Sequence, residues 1–147
     1  MRRILLTAGL AVIMATPTAV YAAGSSSSSS ASIGDVKRYV EKEEYGRAIH
    51  KAEEYLGDNP RSADAYNYIG YSQRKLGKTD AAKTAYERAL SIDANHVGAH
   101  EYYGELQITL GDMAEADKHL AALTRICGDC AEQKDLAQKI AKAKAGG

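Results

Sequence analysis

Apolar residues recur at three- and four-residue spacing from Ile33 to the end of the chain, and no convincing run alternates apolar and polar positions. This spacing places apolar side chains on one face of a helix, whereas a half-buried strand would alternate them. Pro60 is the only proline in this part of the chain, so proline interrupts the pattern at one point. The pattern therefore predicts an all-α fold.

The helical pattern repeats after 34 residues. Segments 63–96 and 97–130 share eight identities at this offset, in the pairs Ala65/Ala99, Tyr68/Tyr102, Gly70/Gly104, Gln73/Gln107, Leu76/Leu110, Gly77/Gly111, Ala82/Ala116 and Ile92/Ile126. A copy at 29–62 is weaker, because Val36 stands where the other copies have a glycine and its first half lies partly in a serine-rich segment. We interpret it as a degenerate repeat with a short first helix.

Small and aromatic residues occupy the positions at which paired helices would pack closely. They are Tyr66, Ile69, Gly70, Ala82, Tyr86 and Ala89 in one copy, and His100, Tyr103, Gly104, Ala116, Leu120 and Leu123 in the next. This pattern resembles the tetratricopeptide repeat (TPR), a 34-residue helix pair. The resemblance implies a right-handed α-solenoid at 34–147, with helix pairs at 34–62, 63–96 and 97–130 and a C-terminal capping helix at 130–145.

The N-terminal segment has the composition of a secretory signal peptide. Two arginines precede an apolar stretch at 4–20, and small residues follow it. We expect cleavage after Ala22, with Ala23 as the alternative, so that 1–22 is a signal peptide and 23–33 a serine-rich linker. The mature protein would be periplasmic or secreted. An uncleaved membrane anchor is the competing interpretation, but the stretch is shorter than about 20 residues and contains polar side chains, so we expect no stable membrane span.

Charge and motif content argue against several functions. The chain has 19 Lys and Arg against 19 Asp and Glu, and removal of residues 1–22 with their two arginines leaves 17 − 19 = −2. Such a protein lacks the positive charge with which nucleic-acid binders neutralise phosphates. No hydrolase, metalloprotease or phosphate-loop motif occurs. We therefore expect a protein that is not an enzyme and has no cofactor.

Cys127 and Cys130 are the only cysteines in the chain. In a secreted protein two cysteines usually bond to each other, and positions i and i+3 at a helix start suit the Cα separation of a disulfide, about 4.4–6.8 Å. We expect a structural disulfide. Two alternatives stay open: a redox centre, which normally has a strand–helix context that is missing here, and a metal site. The histidines available to such a site are His50, His96, His100 and His119, without a zinc-like spacing.

The resemblance to TPR proteins also implies a concave groove that binds a peptide or a partner protein. It assigns to this groove Lys37, Glu41, Asp64, Asn67, Tyr71, Arg74, Lys75, Glu101, Glu105 and Ile108. The positions with which some TPR domains clamp a carboxylate hold Ile33, Lys37, Tyr68, Gly98 and Tyr102, so that clamp is absent. Glu101 and Glu105 instead suggest a ligand of mixed or partly basic charge.

The sequence thus predicts a periplasmic protein-interaction module, acting as an adaptor or assembly factor. The alternative function is that of a metal-binding or redox accessory protein that uses Cys127 and Cys130. A third hypothesis is self-association through an apolar edge of the incomplete first repeat, near Val36, Tyr39 and Val40.

Overall fold

The computed structural model describes residues 31–146, and the regular secondary structure of this range is entirely helical. Its seven helices are α1 (Ile33–Glu41), α2 (Tyr45–Asp58), α3 (Ala63–Lys75), α4 (Thr79–Ile92), α5 (Val97–Leu110), α6 (Met113–Cys127) and α7 (Ala131–Gly146). The predicted all-α solenoid is confirmed. The predicted signal peptide and most of the predicted linker lie outside the described residues.

The start of α1 corrects the predicted end of the linker. The Ser32 side chain accepts a hydrogen bond from the backbone N–H of Asp35, whose carboxylate accepts one from the Ser32 N–H in return. This capping box begins the helix at Ile33. Ile33 packs against the core cluster that contains Val36, so it belongs to the fold and not to the linker.

The odd-numbered and even-numbered helices form two layers. Helix α1 contacts α3, α3 contacts α5, and α5 contacts α7. Within residues 31–146 the even-numbered helices contact odd-numbered ones but not one another. In a curved stack, the layer whose members touch lies on the inner side. The inner face is therefore made by α1, α3, α5 and α7, and α7 extends it as the first helix of a further repeat would.

Successive helices approach closely at two of the repeated glycines. A Cβ atom on Gly70 would lie 2.6 Å from Cδ1 and Cε1 of Tyr86, which is fully buried. A Cβ atom on Gly104 would lie 2.5 Å from Cδ2 of Leu136 in α7. Protein interiors are too densely packed to absorb such overlaps. The glycines therefore set the distances between α3 and α4 and between α5 and α7.

The turns inside the three helix pairs share a left-handed residue at the same repeat position. Gly77 and Gly111 have φ values of 75° and 80°, which glycine adopts without a steric penalty. In the first repeat Glu43 holds this position with a φ of 58°, in a region that side chains other than those of Asn and Asp rarely adopt. The first repeat is thus degenerate in this turn as well as in the length of α1.

We predict that Gly70→Ala destabilises the protein. The added methyl group would overlap the buried Tyr86 ring, which cannot move freely because it stacks on Tyr103 with a centroid separation of 5.6 Å. Overpacking of this kind costs about 1–3 kcal/mol. Urea unfolding followed by circular dichroism measures the change.

The matched control is Gly57→Ala in α2, where a Cβ atom would meet nothing within 4 Å. Alanine is favoured over glycine within helices by roughly 0.5–1 kcal/mol, so this control should be neutral or slightly stabilising. Equal stabilities of the two variants would contradict the proposed role of Gly70.

Candidate functional site

Three tyrosines form a row, with Tyr71 on α3 and Tyr102 on α5 of the inner face and Tyr45 at the start of α2. The ring centroids of Tyr45 and Tyr71 lie 6.2 Å apart, and those of Tyr71 and Tyr102 lie 4.8 Å apart. All three residues are partly exposed. Burial raises the pKa of Tyr102 to about 12, so its hydroxyl group is neutral at physiological pH. The row, here called the tyrosine row, offers aromatic surface and hydroxyl groups to a ligand.

Two cationic side chains lie beside the tyrosine row. The guanidinium carbon of Arg74 is 5.5 Å from the centroid of Tyr71 and 6.0 Å from that of Tyr102. The ammonium nitrogen of Lys75 is 5.9 Å from the centroids of both Tyr45 and Tyr71. Cations at such distances are attracted to the faces of aromatic rings. Both residues therefore help to hold the rings in place.

Glu105 is neutralised from two sides. Its carboxylate pairs with Arg74 at 2.6 Å, and the side chain of Glu105 is 12% exposed and that of Arg74 16%. The carboxylate also pairs with Lys139 of α7. The expectation that Glu105 would contribute negative charge to the groove is therefore wrong. Its role is to link α3, α5 and α7.

Glu101 lies one turn before Glu105 on α5 and differs from it in having no counter-ion. The residue is 6% exposed, and its carboxylate forms no hydrogen bond or salt bridge with the described part of the chain. Burial raises the pKa of Glu101 to about 7, and the nearby carboxylates of Glu105, Asp135 and Glu132 add to the shift, while Lys139 opposes it. The structure thus keeps a covered carboxylate in an acidic environment.

Asn67 holds the equivalent position on α3, 34 residues earlier in the chain. It is 5% exposed, and its Oδ1 atom has no hydrogen-bond partner among residues 31–146. Its Nδ2 atom lies 3.0 Å from the place where a Cβ atom on Gly98 would stand. Since Gly98 and Glu101 are three residues apart on one face of α5, Asn67 packs beside the surface that carries Glu101.

The remaining groove positions have different environments. Asp64 accepts the Nε2 hydrogen bond of His96 at 2.9 Å, while Nδ1 of His96 caps the start of α5, so Asp64 positions that helix. Lys37 and Glu41 are exposed and lie 3.9 Å apart. Ile108 packs against the core cluster that contains Leu136 and Ile140. Ile108 is only partly buried there, so its assignment to the groove stays a prediction.

Several residues of the candidate site are absent from the groove residues that the sequence predicts. They are Tyr45, Tyr102, Glu132, Asp135 and Lys139. The 34-residue offset carries signals for the last two, since it aligns Asp135 with Glu101 and Lys139 with Glu105. They were overlooked because α7 was interpreted only as a cap.

The two cysteines lie between α6 and α7, with Cα atoms 5.6 Å apart. This separation is compatible with a disulfide, which stays a prediction. His96 is engaged with Asp64, and His100 and His119 contact each other in the core, with their Nδ1 atoms 3.0 Å apart. Among residues 31–146 no group of three His, Cys, Asp or Glu side chains is placed to hold a metal ion.

The hypothesis of an apolar edge on the first repeat loses one of its residues. Val36 is fully buried, while Tyr39 is partly covered by the guanidinium groups of Arg38 and Arg47. Self-association therefore stays an untested hypothesis with less exposed apolar surface than expected. None of the described helices is both long and apolar enough to cross a membrane.

The class of the repeats can now be stated. A solenoid of helix pairs with a 34-residue period is the architecture of TPR proteins, and residues 63–96, which include α3 and α4, match the family model of the tetratricopeptide repeat. This helix pair is a tetratricopeptide repeat, and the predicted family is confirmed. No curated protein sequence matches the chain.

Solved structures, among them TPR domains, share the fold of the described residues. The first TPR domain of human RPAP3 has a TM-score of 0.70 at 18% identity, covering 78% of this chain and 90% of that one. The TPR2B domain of yeast Sti1, in a complex with pHsp70, has a TM-score of 0.68 at 22% identity, covering 76% and 92%. The Yersinia enterocolitica type III secretion chaperone SycD, in complex with a peptide of the translocator YopD, has a TM-score of 0.65 at 15% identity, covering 78% and 87%.

Proposed function

We propose that this protein is a protein-interaction module of the bacterial envelope, an adaptor or assembly factor that binds a peptide segment of its partner along the inner face. The tyrosine row is the observation that carries this proposal. Tyrosine and arginine are enriched at protein interfaces, and a tyrosine ring supplies contact area with little loss of conformational entropy. The row joins the inner helices α3 and α5 and lies next to Arg74 and Lys75.

Complexes of proteins with the same fold support this proposal. The yeast Sti1 domain is complexed with pHsp70, SycD with a peptide of YopD, and the first TPR of Spaghetti (RPAP3) with the HSP90 peptide SRMEEVD. The last of these peptides ends in acidic residues. Such a ligand does not suit the present inner face, where Glu101, Glu132 and Asp135 lie together. We therefore propose peptide binding for this chain, but a different peptide.

The proposed envelope location rests on the N-terminal sequence, which has the features of a secretory signal. Secretion would place Cys127 and Cys130 in an oxidising compartment, where a disulfide persists. For the competing function at these cysteines, metal binding has no supporting cluster of ligands among the described residues, and redox chemistry normally has a strand–helix context. We also propose a role without catalysis, since the sequence carries no catalytic motif.

We expect the chain expressed in a bacterial host to be recovered from the periplasm with Ala23 as its first residue. We also expect both cysteines to resist alkylation until a reductant is added. Intact mass spectrometry before and after alkylation measures both properties. A chain that begins at Met1 in the membrane fraction would contradict secretion, and free thiols that retain a metal ion would favour the accessory-protein alternative.

The groove proposal predicts that a double variant, Tyr71→Ala with Lys75→Ala, loses its partner. The control, Lys83→Ala with Arg88→Ala, changes two exposed residues of the outer helix α4. Arg74 is left intact because removal of one member of a largely buried ion pair destabilises the fold. Affinity capture from envelope extract, followed by calorimetry with the captured partner, should show binding weakened at least about tenfold in the groove variant, as for interface hot spots.

Circular dichroism establishes that both variants are folded. Equal partner affinities of the groove variant and the wild-type protein would contradict binding on the inner face. Loss of the partner by the α4 control would instead place the interface on the outer helices.

A further inference from the structure

The end of the inner face between α5 and α7 has an excess of negative charge. Arg74 and Lys139 both pair with Glu105, so neither is free to neutralise the remaining acids. Those acids are Glu101, Glu132 and Asp135, and none of them forms a salt bridge within residues 31–146. Glu132 and Asp135 lie close enough to Glu101 to disfavour ionisation of its carboxylate.

Two polar side chains at this place are more than nine-tenths buried and have unmet hydrogen-bonding capacity. Within residues 31–146, the Glu101 carboxylate has no hydrogen-bond or salt-bridge partner, and Asn67 has none for its Oδ1 atom. Burial of an unpaired polar or charged group costs free energy. The two side chains are neighbours at the contact of α3 with α5, since Asn67 packs against Gly98, one turn before Glu101. A ligand at this place would have to donate hydrogen bonds to the Glu101 carboxylate and to Asn67 Oδ1. It would also have to carry a positive charge that offsets the acids.

The geometry favours an organic cation over a metal ion. No three carboxylate, imidazole or thiolate groups within the described range are close enough to share one metal ion. The groups that bind a lysine or arginine side chain do not have to meet at a single point, as the ligands of a metal ion do. An ammonium group has three donors and a guanidinium group five, and these are spread over a larger volume. Both can bond with a carboxylate and an amide oxygen at once, and charge-assisted bonds of this kind are the strong ones.

We propose that Glu101, Asp135 and Asn67 form a receptor for a basic side chain, a lysine or an arginine, of an extended peptide bound on the inner face. Glu101 accepts the central hydrogen bonds, Asn67 accepts one through Oδ1, and Asp135 supplies a second negative charge from α7. The backbone of the peptide then continues along the tyrosine row, from Tyr102 towards Tyr71. This inference rests on the proposed function and specifies its ligand.

The test uses a positional-scanning library of synthetic peptides with acetylated and amidated ends and the purified full chain. We expect the wild-type protein to select lysine or arginine at one position. Replacement of that residue by norleucine, which keeps the carbon chain and removes the charge, should weaken binding at least about tenfold, as expected for the loss of a charge-assisted hydrogen bond. A second library with free N-termini establishes whether a terminal amine is bound instead.

The diagnostic variant is Glu101→Gln with Asp135→Asn, and its control is Glu53→Gln with Asp58→Asn on the exposed surface of α2. Both replace one glutamate and one aspartate by their amides. The diagnostic variant should bind the lysine and norleucine peptides within twofold of each other, and the control should behave as wild type. A preference for lysine that persists in the diagnostic variant, or selection of a free terminal amine alone, would overturn the assignment of a basic side chain to this receptor.

The library also separates this inference from the groove proposal. Selection of peptides without a basic residue, with binding that Tyr71→Ala and Lys75→Ala abolish, would overturn the receptor and leave the groove proposal standing. If no peptide is selected, or if the selected peptides bind that groove variant as tightly as wild type, both proposals fail.

Discussion

The close contacts at Gly70 and Gly104 are the constraint on which the architecture depends. With Gly70 beneath the ring of Tyr86 and Gly104 against Leu136, neighbouring helices lie too close for a side chain between them. This stacking brings α3, α5 and α7 into contact along the inner face. It also covers side chains that would be solvated on isolated helices, and Asn67 and Glu101 are the clearest examples.

The pattern of charge pairing follows from this geometry. Glu105 lies between α3 and α7, so Arg74 reaches it from one side and Lys139 from the other. Glu101 lies one turn away, where α3 presents Asn67 and α7 presents Asp135, and neither of these can neutralise it. The same stacking that pairs Glu105 therefore leaves Glu101 without a partner in the part of the chain that the structure describes. A partner that supplied a positive charge would remove this deficit, which is the physical basis for the proposed ligand.

The helical repeats could be predicted from sequence because the residues at the packing positions recur with the same 34-residue period. Glycine recurs at Gly70 and Gly104 because neighbouring helices approach closely there. It recurs at Gly77 and Gly111 because the turn is left-handed. Steric requirements of this kind recur in every repeat and are therefore visible as a periodic pattern in the sequence. The chemistry of the inner face depends instead on contacts between repeats. Glu101 and Glu105 look alike in sequence, and their difference arises from Lys139, 34 residues after Glu105 in a helix that had been interpreted only as a cap. The contact of Ile108 with the core cluster that includes residues of α7 is another contact between repeats that the sequence pattern does not show.

The central claim is that Glu101 is buried without a counter-ion among residues 31–146, at a cost to the stability of the fold. Urea unfolding of the wild type and of Glu101→Gln between pH 4.5 and pH 8.5 tests this claim most directly. Burial raises the pKa of Glu101 to about 7, well above the usual value of a glutamate, so the folded state binds more protons than the unfolded state in this interval and loses stability as the pH rises. The two proteins should therefore be about equally stable near the lower pH. Above pH 7 the glutamine variant should be the more stable, by on the order of 1–2 kcal/mol after allowance for solvent screening. A stability difference that does not change with pH, or a variant less stable than wild type at pH 8.5, would contradict the account.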